Sequence, residues 1–183
     1  MVLNNPYLAD VQSRAVDGVP QWKNRRQLVQ QYAWAIPNEE AIATIAALSP
    51  IVEVGAGTGY WACLVAQAGG HIDAYDIAPP TIRNNTFKHN TLWHPVMPVE
   101  WLKWEKTQRY TLMLCWPPYG RDMASKTLQQ FRGTRVIYIG ENAGGCTGDD
   151  AFHEALKRYW HLIQSLPLPQ WEGVYDRLQV WEC

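Results

Sequence analysis

Between Ile51 and Trp61 the chain reads IVEVGAGTGYW, and Glu53, Gly55, Gly57, Thr58 and Gly59 are the residues in it best suited to chemistry. Closely spaced glycines let a backbone turn tightly and approach a ligand without Cβ clashes, so a site here lies in the main chain itself. A second acid, Asp76, follows Gly59 by seventeen residues at the end of HIDAYD. That distance fits one strand–helix–strand crossover, and an acid at the second strand tip can accept hydrogen bonds from both hydroxyls of a ribose. The pair predicts a nucleotide-type cofactor. The dinucleotide fingerprint G-x-G-x-x-G requires glycine where this chain has Tyr60, which argues against NAD.

Two further groups bear on the reaction. Cys115-Trp116-Pro117-Pro118-Tyr119 closes an apolar run; its prolines hold a rigid turn with carbonyls free to face a cleft, and Tyr119 can wall a substrate pocket. Proline pairs are also ordinary loop punctuation. Glu141 ends a later apolar run, before Gly144, Gly145 and Gly148, in a loop that either closes on a substrate or merely connects. Of the groups able to act as a base, Glu141 is the first choice, with Tyr119 and His153 behind it. In YAWAIPNEE, Tyr32 and Trp34 precede the glycine loop and are candidates to shape an acceptor pocket, Tyr32 in a catalytic role.

These residues require elements to position them. The first twenty residues show no periodicity and read as an extended or loosely ordered arm. Apolar spacing predicts a helix over 21–34, ended by Pro37, and a second from the N-cap Asn38 to about Ser49. Ile51–Val54 and His71–Asp76 are strands, and Pro79 and Pro80 open a short helix to about His89. Val96–Val99 is a third strand, interrupted by Pro98; Thr111–Trp116 is a fourth, continuous enough to be buried on both faces. A helix over 121–131, a strand over 134–139 and a helix capped by Asp149 or Asp150 complete the alternation. His161–Leu166 and Arg177–Trp181 follow with no helix between them, which suggests an antiparallel pair. The expectation is an α/β fold, a doubly wound, mostly parallel sheet in a single domain over 1–183, with 1–49 as arm and helical cover and 50–183 as core.

With 183 residues, 47% of them hydrophobic, the chain can bury one sizeable core. Sixteen basic against seventeen acidic residues leave a formal charge of −1 and no global field toward nucleic acid. Lys23, Arg25 and Arg26 form a local basic group that reads as a solvated helix face. Cys63, Cys115, Cys146 and Cys183 are far apart and read as reduced thiols; the histidines lack metal spacing, so no metal is expected. No long apolar run or signal peptide is visible, which points to a soluble cytoplasmic protein without a membrane partner.

The order acid-Val-Gly-Ala-Gly-Thr-Gly from Glu53 to Gly59, with Asp76 on the next strand, closely resembles the first motif of the class I S-adenosylmethionine (SAM)-dependent methyltransferases. The resemblance implies a seven-stranded Rossmann-like sheet ending in an antiparallel β-hairpin, with extra N-terminal helices. It implies SAM as cofactor and S-adenosylhomocysteine as product. Glu53, Gly55, Gly57, Thr58 and Gly59 would lie along the methionine portion, Asp76 and Ile77 at the ribose, and Glu100 at the adenine amino group. Trp101 would stack on the base, and Cys115 and Trp116 would complete the cofactor contacts. The Trp116–Tyr119 turn resembles the [Asp/Asn/Ser]-Pro-Pro-[Tyr/Phe] loop of methyltransferases that act on planar amide or adenine nitrogens, with Trp116 in the polar position. Trp34, Pro117, Pro118 and Tyr119 would then meet the acceptor. The activity implied is EC 2.1.1.-, N-methylation of a small molecule or peptide, with nucleic acid not the expected partner and the oligomeric state open. A nucleic-acid or protein methyltransferase and a SAM-binding protein without transferase activity are the alternatives.

Overall fold

A computed structural model describes residues 3–15, 23, 25–80 and 91–183. Strand β1 (Ile51–Val54) is buried along its whole length and alternates between two faces. Ile51 joins one hydrophobic cluster, Val52 and Val54 join the other, and the intervening Glu53 takes the side of Ile51. The first cluster packs helices α1 (Pro6–Ser13), α2 (Arg25–Gln31), α3 (Glu39–Ala47) and α4 (Tyr60–Gln67) on one side of the sheet; α5 (Met123–Gln130) and α6 (Asp150–Tyr159) cover the other.

The remaining strands are β2 (Ile72–Asp76), β3 (Val96–Pro98), β4 (Thr111–Cys115), β5 (Arg135–Gly140), β6 (His161–Pro167) and β7 (Arg177–Glu182). Their spatial order is β3-β2-β1-β4-β5-β7-β6, with β1 parallel to both β2 and β4 and β7 antiparallel to β5 and β6. The order reverses between β1 and β4, where open α/β sheets leave a crevice beyond the strand tips. Pro98 is tolerated because β3 is an edge strand bonded to β2 alone. Among the described residues no helix is long and apolar enough to cross a membrane.

The N-terminal segment departs from the expected loose arm. Asn5 caps α1 by accepting from the Leu8 amide at 3.1 Å, Pro6 occupies the first turn, and Tyr7 is fully buried. Tyr7 stacks on Tyr32 with centroids 4.9 Å apart, and the Tyr60 hydroxyl donates to Asn5 Oδ1 at 2.9 Å. Thus α1 is fixed to the start of α4 by aromatic packing. The second helix also stops earlier than its periodicity predicts. Trp93 Nε1 donates to the Gln31 carbonyl at 2.7 Å and the Thr58 hydroxyl donates to the Tyr32 carbonyl, so those carbonyls are satisfied across the fold and Trp34 lies beyond the helix. Asn38 caps α3 as expected, accepting from the Ala41 amide at 2.9 Å. The helix expected to run to His89 falls on 81–90, outside the described residues. Two 3-10 turns, Val99–Trp101 and Trp104–Arg109, join β3 to β4.

Candidate cofactor and acceptor site

The tips of β1, β2 and β4 open onto a cleft of about 1050 Å³. Its floor is the glycine loop. Gly57 adopts φ +54 and donates its amide to Asp76 Oδ2 at 2.8 Å, while Asp76 Oδ1 accepts from the Ala78 amide at 2.8 Å. Asp76 thus holds the loop to the second strand tip. Gly59 sits at φ +73, and a Cβ there would stand 2.9 Å from the His94 carbonyl oxygen, so this glycine is needed for backbone approach. It is absent from the cleft wall and caps α4 rather than facing a ligand. Thr58 lines the cleft, with its hydroxyl donating to the Tyr32 carbonyl.

Glu53 lies beside this floor with 1% of its surface exposed, and its Oε2 has no hydrogen-bond partner. Burial, and secondarily the charge of Asp76, push its pKa up to about 8. A neutral acid in an apolar wall is the ground state of such a group; a cation brought against it would favour the carboxylate. Across the cleft, Cys115 has its thiol pKa pushed well up, first by burial and then by Glu53, so it is no nucleophile.

Ile77, Glu100, Leu102, Trp104, Met123 and Thr127 form the wall beyond Asp76. Trp101, expected to stack on a base, is instead 63% exposed and outside the wall. The 3-10 turn beginning at Trp104 brings that residue in, packed against the second core cluster.

The other half of the cleft is aromatic. Trp116 has φ +53, a left-handed conformation rare for a non-glycine residue, and ends β4 one residue sooner than its apolar run suggests. Its indole N–H donates to Asp176 Oδ1 at 2.8 Å, and its ring stacks on Trp34 at 5.1 Å and 10°. The Arg25 guanidinium lies 5.2 Å and 5.1 Å from the two ring centroids. Burial raises the Asp176 pKa to about 6, against the lowering effect of the Trp116 bond. Neither Asp176 nor Arg25 carried a site signal in the sequence. Pro117, Pro118 and Tyr119 complete this wall, with Tyr119 half exposed.

Glu141 is not among the lining residues. Its Oε2 accepts from the Cys146 amide at 2.8 Å and its Oε1 from the Tyr175 amide at 2.9 Å, which ties the β5–α6 loop to the β6–β7 loop. Burial raises its pKa, but the Cys146 and Tyr175 hydrogen bonds and the Arg25 charge carry the net shift below the ordinary value. With both oxygens bonded and no place in the cleft wall, Glu141 fastens the two loops together. Tyr32 lines the cleft, yet its hydroxyl donates to Asp10 Oδ2 at 2.8 Å and its pKa rises to about 12, chiefly through burial. Tyr32→Phe is therefore expected to lower stability by about 1 kcal/mol, a fall of roughly 2–4 °C in Tm by thermal melting. An unchanged Tm would mean that the bond to Asp10 contributes nothing.

Among the described residues no group of three or more His, Cys, Asp or Glu side chains is gathered as a metal ion requires, and all four cysteines are free.

The strand order with its reversed terminal hairpin, together with a glycine loop at the switch point, defines the Rossmann-like fold shared by the class I SAM-dependent methyltransferases. No protein-family model matches this sequence, and no curated protein matches it in sequence. Solved structures match its fold. Magnesium protoporphyrin IX methyltransferase from Synechocystis PCC 6803 with bound SAM superposes at TM-score 0.55 and 13% identity, covering 79% of this chain and 76% of that one. A tRNA (m1A22) methyltransferase candidate of Streptococcus pneumoniae, in complex with S-adenosyl-L-methionine, superposes at TM-score 0.51 and 14% identity, covering 79% and 71%. A Listeria monocytogenes serotype 4b protein reaches TM-score 0.53 at 10% identity, covering 80% and 67%. At these identities the likeness is one of fold.

Proposed function

We propose that this protein binds SAM and transfers its methyl group to a nitrogen of a small-molecule or peptide acceptor. The observation that carries the reading is Glu53: a buried carboxyl with an unpartnered oxygen, set between the glycine loop and the β4 tip. An α-ammonium brought against it would supply the missing hydrogen bond and favour its carboxylate form. Asp76 would receive the ribose hydroxyls, and Ile77, Leu102 and Trp104 would enclose the base with Glu100 at its edge. When bound, SAM supplies an electrophilic methyl group on a sulfonium. The chain then aligns acceptor and methyl and excludes water, which for in-line displacement is most of the work. Trp34, Trp116, Pro117, Pro118 and Tyr119 supply that enclosure.

The structural neighbours include a magnesium protoporphyrin IX methyltransferase and a tRNA (m1A22) methyltransferase candidate. A formal charge of −1 favours the smaller acceptor, because phosphate backbones are bound chiefly by clustered cations. Calorimetric titration tests the cofactor: S-adenosylhomocysteine should bind with a Kd of order micromolar and NADH should not. Binding of NADH alone would replace the reading with a dehydrogenase.

A further inference from the structure

Trp116 is held in a conformation that its own residue type resists. A left-handed φ of +53 is unfavourable for a non-glycine residue and persists only where the surroundings over-determine it. Two main-chain hydrogen bonds flank it. The Trp116 amide donates to the Ile139 carbonyl at 2.8 Å, and the Gly148 amide donates to the Pro117 carbonyl at 2.8 Å. These hold the backbone and leave the ring direction open, since rotation about the side-chain bonds disturbs neither. The indole bond to Asp176 Oδ1, at 2.8 Å, ties the ring itself.

Asp176 stands behind the cleft wall. It is buried, does not line the cleft and immediately precedes β7. Its own place is held from both sides: the Tyr175 amide donates to Glu141 Oε1 at 2.9 Å, and the Asp176 carbonyl accepts from Gln170 Nε2 at 3.2 Å. A run of contacts therefore leads from the Glu141 clasp through Asp176 to the Trp116 ring. It continues to Trp34, stacked on that ring at 5.1 Å and 10°. Trp34 lies beyond the end of α2 with 40% of its surface exposed, so its orientation depends on the ring it is stacked against.

We propose that Asp176 is a positioning residue for the acceptor half of the cleft: its carboxyl oxygen fixes the Trp116 ring and, through that ring, sets where Trp34 stands. The inference rests on the methyl-transfer reading above for what this wall encloses. Without the oxygen, the indole N–H must turn toward the water of the cleft to recover a hydrogen bond, and the surface under Trp34 moves with it. The Arg25 guanidinium lies against both rings and also feels the Asp176 charge. Asp176→Asn separates the two contributions, because it removes the charge and keeps an oxygen at the same reach. Glu53 and Asp76 stand at the tips of other strands, so the cofactor half does not depend on Asp176.

The test is NMR of the ten indole N–H groups in the isotope-labelled full chain, with Trp34→Phe and Trp116→Phe assigning two of the resonances. Asp176→Leu should move the Trp34 resonance, which Asp176 does not touch, by loss of the ring-current shift from Trp116. Asp176→Asn should leave it in place. Trp116→Leu should move it too, and adding Asp176→Leu to that variant should move it no further, because the effect passes through the ring. In the wild type the Trp116 indole proton should exchange with water about tenfold more slowly than that of Trp34, the scale of one hydrogen bond. Unchanged S-adenosylhomocysteine affinity by calorimetry shows that the variants are folded; should Asp176→Leu fail to fold, the exchange rates in wild type and Asp176→Asn decide. An unmoved Trp34 resonance in Asp176→Leu, an equal shift in Asp176→Asn, or equal exchange of the two indoles overturns the proposal. Should S-adenosylhomocysteine not bind the wild type, the methyl-transfer reading falls. The remaining indole resonances then report folding, and the same shifts still decide whether Asp176 holds the two rings.

Discussion

Asp76→Ala is expected to lower the affinity for S-adenosylhomocysteine by at least about a hundredfold, since with the ribose placed as proposed two charge-assisted hydrogen bonds would contribute about 1.5–3 kcal/mol each. The variant loses more than those bonds. The same carboxylate holds the Gly57 and Ala78 amides, each at 2.8 Å, so its removal also releases the loop on which the ligand lies. Asp76→Asn separates the two effects. It keeps the shape and one acceptor oxygen, so its affinity should fall between those of wild type and the alanine variant. Calorimetry with both variants, alongside thermal melting, is the measurement; an alanine variant that is folded and binds as tightly as wild type would remove Asp76 from the site.

Glu53→Gln is expected to make the protein more stable and worse at binding. An acid whose folded pKa lies above its unfolded value contributes its full stability below the unfolded value and loses it as pH rises through the folded one. For Glu53 that window runs from about 4.5 to about 8. At neutral pH the wild type should already have lost about 3 kcal/mol relative to acid conditions, by linkage over that interval. Glutamine cannot ionise. Its Tm should exceed that of wild type by about 6–12 °C at pH 7 and converge with it near pH 4.5. The ligand should show the opposite preference, because an ammonium gains from a carboxylate and nothing comparable from an amide. Parallel melting curves across that pH range would falsify the buried-acid account, and unchanged SAM affinity would refute Glu53 as its partner.

What the residues disclosed in advance was set by how local the cause was. The glycine loop, Asp76 and the strands themselves were legible because each follows from short-range demands: positive φ at Gly57, an acid at a strand tip, apolar runs long enough for buried parallel strands. Helix α1 was missed although its signal was present, since Asn5-Pro6 is an N-cap followed by a first-turn proline; the segment is too short to display a period. The exchange of Trp101 for Trp104 had a different origin. Both tryptophans follow β3, and which one turns inward depends on two 3-10 turns that sequence spacing does not specify. Glu141 was drawn to the site by its position at a strand tip. Its partners at Cys146 and Tyr175 come from two different loops, and only the folded chain shows that both oxygens are engaged. Arg25 and Asp176 are remote in sequence from Trp116 and meet it only through tertiary packing.

The fastening at Glu141 bears on how such a protein diversifies. Loops at strand tips are ordinarily the freely interchangeable parts of an α/β sheet, each able to lengthen or change without disturbing its neighbours. Here one side chain clasps two of them, so the segments 141–148 and 171–176 are coupled to one another. A lineage that altered one alone would release the other. New acceptor ranges on this scaffold would therefore arise more readily from the segment carrying Trp34, or from the Pro117–Pro118 turn, than from the longer loops opposite.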